Sequence, residues 1–124
     1  MKQAMNALFL VRYDIGSNYL RDHAPEEQQG FVEHAKYMDL QHAAGTLILG
    51  GLLLNHVETC SITGGALLYR ARSEKEARDI AMQDPAVRNS VFEIRDIKHW
   101  VPMIGSVSGT TAVEDIWSTE LRAD

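Results

Sequence analysis

Three short apolar segments constrain this chain more than any other feature. Ala7–Tyr13 reads ALFLVRY, Thr46–Asn55 reads TLILGGLLLN and Gly65–Ala71 reads GALLYRA. Branched and aromatic residues packed into so few positions predict strands. In the first segment both alternating sets are apolar, with Leu8 and Leu10 on one side and Phe9 and Val11 on the other. Such a strand needs cover on both faces. In the second, Gly50 and Gly51 interrupt the run, which predicts a bulge or a close approach by another group. A fourth segment, VFEIRDIKHW up to Trp100, alternates and carries more charge.

Two helices separate these strands. Pro25 opens the first, with Glu26 and Glu27 suited to the positive end of its dipole. It runs to about Ala44 and stops at Gly45. Gly30 is a weak point, and a regular helix starting there is the alternative. Phe31, Ala35, Met38 and His42 recur at helical spacing and predict the buried stripe. Ser73 and Glu76 form a capping-box pattern at the start of the second helix. Its stripe is Ala77, Ile80 and Ala81, and it ends at Asp84-Pro85. PAVRN then makes a turn or one helical turn.

The order is therefore β-α-β-β-α-β, the split arrangement of α+β ferredoxin-like folds. It predicts a four-stranded antiparallel sheet with both helices on one face. The first and third strands are central and the second and fourth are edges. Two helices cover only one sheet face, yet apolar residues occupy both. An open apolar face invites association, so a homodimer with sheets packed face to face is expected. Residues 1–102 make up the domain and residues 103–124 a C-terminal extension. The extension combines a GSVSGTT linker with a possible short amphipathic helix over AVEDIWSTEL.

Charge and cysteine content narrow the partners. The 124 residues carry a net charge of -5, with no basic stripe for nucleic acid or an anionic membrane. No apolar run approaches membrane-spanning length, and the N-terminus lacks a signal-peptide pattern. Cys60 is the single cysteine, which excludes an intramolecular disulfide and fits a reducing cytoplasm. The sequence has no phosphate-binding glycine loop, no nucleophile elbow, no His-Glu-x-x-His and no Cys-x-x-Cys. His23, Glu26 and His34 have no spacing that demands a metal. Neither a metal nor a cofactor is expected.

Two residues draw attention on position alone. His34 flanks the apolar stripe of the first helix. Asp84 stands at the C-terminal end of the second helix, where a carboxylate faces the negative end of the dipole. Each also has an ordinary explanation, as a core-edge histidine and as Asp-Pro turn chemistry.

The segments VEHAKYMDLQHAAGTLILGGLL, GALLYRARSEKEARDIAMQDPAVRNSVFEIRDIKHW and ALFLVRYD together resemble the YCII-related family of small dimeric α+β barrel proteins. His34, Met38, Gly45, Gly51, Leu52, Asp84, Pro85, Val87 and Trp100 occupy the motif positions. The chain departs at Gly50-Gly51, where Gly-Pro is common, and at Phe31, where an arginine often stands. The resemblance implies a His34–Asp84 pair beside a pocket between helices and sheet. Asp84 would hold the imidazole in one tautomer and raise its basicity, and His34 would move a proton. Arg12, Tyr13, Tyr37 and Gly51 are the candidate substrate contacts, with Arg12 and Tyr13 weighed as whichever faces inward. The expected function is cofactor-independent acid–base chemistry on a small cyclic substrate: elimination, dehydration or double-bond isomerisation. A non-catalytic ligand-binding domain and a cofactor-free oxygenase are the competing readings. His42 and His99 are expected to play no part in the chemistry.

Overall fold

Strands from the two ends of the domain, the first and the last, pair side by side in one sheet. The computed structural model describes residues 7–55 and 61–105. Its elements are β1 (Ala7–Ile15), a 3₁₀ turn at Pro25–Glu27, α1 (Phe31–Ala43), β2 (Leu47–Leu54), β3 (Ile62–Ala71), α2 (Glu74–Met82), α3 (Pro85–Arg88) and β4 (Phe92–Trp100). The sheet order is β2-β3-β1-β4, with every neighbour antiparallel. This is the expected α+β ferredoxin-like arrangement, with β1 and β3 central. His56, Cys60 and the extension beyond Gly105 lie outside the described residues, as does the expected helix in it.

The helix-facing core is assembled by alternation. Phe9, Val11 and Tyr13 of β1 join Leu67, Tyr69 and Ala71 of β3, Leu47 of β2 and Ile97 of β4. Ala77 and Ala81 of α2 sit directly on them, fully buried. Small residues there let the helix lie close to the sheet. Ser73 Oγ accepts from the Glu76 N–H at 3.1 Å. The reciprocal half of the capping box is displaced by one residue: the Glu76 carboxylate accepts from the Arg72 N–H at 2.7 Å and from its guanidinium.

The first helix differs from the expectation in two ways. Pro25 and its two glutamates form a separate 3₁₀ turn, and α1 begins only after Gly30. Gly30 has φ 75°, a left-handed conformation that favours glycine and cannot sit inside a helix. The inward stripe is also broader and shallower than expected. Phe31, Ala35 and Met38 are half-buried as expected, His34 and Tyr37 join them, His42 is exposed, and no residue of α1 is fully buried.

On the other sheet face, Leu8 and Leu68 are buried by Ile48 and Val101, although no helix among the described residues covers them. Around that small cluster Leu49, Leu53 and Trp100 stay exposed. The β2 bulge falls between Leu47 and Leu49, just before the glycine pair. Gly50 meets the close approach: a Cβ there would stand 2.7 Å from Leu67 Cδ2. Gly64 admits a closer one, since its Cβ would fall 2.0 Å from the Tyr13 carbonyl oxygen. That contact sets how β3 seats the end of β1, and so where Tyr13 points.

Candidate active site

Successive strand residues face opposite sides of a sheet, and this separates Arg12 from Tyr13. Arg12 lies on the open face in a bidentate ion pair with Asp96 of β4. Tyr13 lies on the helix face, buried, with Gly65 opposite it on β3. The structure therefore does not bring Arg12 to the cavity, and the inward residue is Tyr13.

Asp84 is wholly buried, with 0% exposure. A buried carboxylate is costly unless donors surround it. Three do so, from three elements. His34 Nδ1 of α1 lies 2.6 Å from Oδ1. The Ala86 backbone N–H donates to the same oxygen at 2.9 Å. The Tyr13 hydroxyl of β1 donates to Oδ2 at 2.9 Å. The sequence reading put Asp84 at the unfavourable end of α2. The structure makes it the N-cap of α3, with Pro85 in the first turn, so its carboxylate meets a helix start. The signal was present in Asp-Pro-Ala, since a proline that ends one helix suits the first position of the next.

The contact sets Nδ1 against a carboxylate oxygen. A carboxylate in its ionised form only accepts, so beside it Nδ1 would carry the proton and Nε2 would be the nitrogen left for the cavity. The His34 side chain is 24% exposed, enough for access from that side. Tyr37 points elsewhere. Its hydroxyl donates to the Ile80 carbonyl of α2 at 2.7 Å, which ties the two helices together and leaves the cavity. Burial pushes the Tyr13 phenol well above tyrosine's ordinary range, and the Asp84 charge pushes it further. Burial and then Asp84 also raise Tyr37 and Tyr69. The Tyr13 hydroxyl thus stays a donor to Asp84. The Tyr69 hydroxyl is buried near them with no hydrogen-bond partner.

The cavity beside His34 has a volume of about 410 Å³. Gly50, Gly51 and Gly65 line it without side chains, which leaves the space open. Tyr13 and Phe92 stack at 5.8 Å with 25° between their planes, and both border the cavity. Of the expected contacts, Tyr13 and Gly51 line it, and Arg12 and Tyr37 do not. His42, expected to be idle, stands on its wall. Tyr19 and Phe92 also line it, and nothing in their local sequence signalled that. Among the described residues no group of three or more His, Cys, Asp or Glu side chains can hold a metal, and no helix is long and apolar enough to cross a membrane.

The model of the YCII-related domain matches residues 8–101, most of the chain and every element above. The chain belongs to the YCII-related family. No curated protein matches it. Among solved structures, the chain is similar to 5-chloro-2-hydroxyhydroquinone dehydrochlorinase from Burkholderia phenoliruptrix AC1100, solved in complex with 2,5-dihydroxybenzoquinone. The TM-score is 0.54 at 22% identity, over 75% of this chain and 92% of that one. At that identity the likeness shows a shared fold for this YCII-related protein.

Asp84→Ala removes a helix cap and strips the buried Tyr13 hydroxyl of its acceptor. Urea unfolding should show a loss of about 2–4 kcal/mol. Asp84→Asn should lose less, because its amide oxygen can still accept from Ala86. A loss for Asp84→Ala below about 0.5 kcal/mol, the range of plain surface changes, would contradict the structural role given to the carboxylate.

Proposed function

We propose that this YCII-related protein is a cofactor-independent acid–base enzyme that acts on a small cyclic organic substrate, with elimination as its leading reaction. The observation that carries the reading is the 2.6 Å contact between His34 Nδ1 and buried Asp84 at the wall of the apolar cavity. Asp84 fixes the tautomer, and His34 Nε2 takes a proton from a ring carbon or hydroxyl. The electrons of the broken bond form a new double bond, and the leaving group departs as an anion. The imidazolium then returns its proton to water. If the ring bears no leaving group, the same proton goes back at another carbon and the outcome is isomerisation. Asp84 acts as a positioning residue, since it need not touch substrate, and the Tyr13 hydroxyl holds Asp84 while its ring borders the cavity. The dehydrochlorinase with this fold gives the reading a chemical precedent, and its substrate is a natural first probe.

The test is a panel of chlorinated and unsaturated rings, that substrate included, read by chloride release and by ring-proton exchange in D₂O. His34→Gln should lower turnover by about 10²–10⁴-fold, the usual contribution of a general base, in protein that thermal unfolding shows to be still folded at the assay temperature. A panel that binds in the cavity but shows no His34-dependent turnover would favour the ligand-binding alternative.

The enzyme acts as a homodimer in this reading. The support is the uncovered sheet face, where Leu49 is 55% exposed and Trp100 45% around the buried Leu8–Leu68 pair. Light scattering at micromolar concentration should give twice the 13.9 kDa chain mass. A monomer mass under those conditions would remove the argument from the open face.

A further inference from the structure

We infer that the cavity selects a planar ring that carries no negative charge, one that reaches His34 without a carboxylate or phosphate of its own. This deepens the acid–base reading above and rests on it. Three observations carry it, and each concerns charge or shape at the cavity wall.

First, among the described residues that line the cavity there is no lysine or arginine. The nearest candidate cation in sequence, Arg12, is held on the opposite sheet face by Asp96. The formal charges close at hand are both negative: Asp39 on the wall, and Asp84 behind His34. A substrate anion entering such a site would lose its hydration without gaining a partner. Second, the wall amides are already engaged. Gln28 donates to the Leu20 carbonyl at 2.8 Å and accepts from the Leu20 N–H at 2.7 Å. Gln29 donates to Asn89 Oδ1 at 3.3 Å. Third, the Tyr13–Phe92 stack continues into Tyr19, whose ring lies 6.0 Å from Phe92. Such a surface favours a flat unsaturated partner over a saturated one. A volume of about 410 Å³ sits near the lower end of the usual range of about 300–1,000 Å³ for ligand sites, which suits a single substituted ring.

The chemistry agrees with this selection. No lysine or arginine stands among the described wall residues, so the positive charge that can meet a developing substrate anion there is an imidazolium, that of His34 after proton transfer or that of His42. A neutral substrate acquires its negative charge at the same moment as His34 becomes positive. An anionic substrate would arrive before that charge exists.

Benzamide, benzoate and benzamidine share a shape and differ in charge, so they isolate the effect. Their binding is measured on the full chain by NMR titration at a pH of about 8, above histidine's ordinary range, with the His34 ring resonances as reporter. Benzamide should bind at least ten-fold more tightly than benzoate and should move the His34 signals, with benzamidine no weaker than benzamide. Asp39→Asn should recover part of the benzoate affinity and leave benzamide unchanged. If benzoate binds as tightly as benzamide and moves the His34 signals, the inference fails while the acid–base reading stands. If no ring binds, or binding leaves His34 unmoved, the cavity is not the site and both fail.

Discussion

A single buried carboxylate ties this domain together. Asp84 receives donors from β1, α1 and the backbone of α3, so three elements distant in sequence are fixed to one point. The cost of burying a charge makes the arrangement demanding, because each missing donor leaves part of that cost uncompensated. The same demand gives precision. His34 cannot turn its ring without surrendering its shortest contact, and Tyr13 cannot ionise without opposing both its burial and its acceptor. Stability and chemistry therefore draw on the same contacts.

The rest of the site is shaped by what is missing around that anchor. Glycines at 50, 51 and 65 leave a gap between the sheet and α1 where side chains would otherwise fill the core. The half-buried character of α1 follows: it rests on a cavity along part of its length, so none of its residues is fully enclosed. By contrast α2 sits on the sheet through Ala77 and Ala81 and carries no part of the cavity wall. One helix is anchored on the sheet, and the other, tethered to it by Tyr37, carries His34, the base of the proposed reaction.

Much of this was legible in sequence. Period-two alternation and the helix signals yielded the element order, and the order yielded the central and edge strands. Gly30 was recognised as a weak point, and it is where the helix begins. Local patterns failed where a residue serves two elements. Asp84 closes the neighbourhood of α2 but caps α3, and a stop signal hid a start signal. Periodicity placed Phe31, Ala35 and Met38 on the inward side, but His42 of the same set is exposed and borders the cavity, and helical spacing says nothing of the surface a helix faces. Arg12 and Tyr13 could not be told apart until the register of β1 was known, since one position decides the face. The choice of Ile80 as partner for Tyr37 is a tertiary contact between helices with no trace in either segment alone.

The most direct test of the account is the tautomer of His34, read by ¹⁵N–¹H NMR of the imidazole ring in the wild type and in Asp84→Asn. The account predicts a proton on Nδ1 with a slowly exchanging signal at neutral pH, an unprotonated Nε2, and loss of that protection in Asp84→Asn. A ring protonated on Nε2, or one that averages freely between both forms and ignores residue 84, would contradict it.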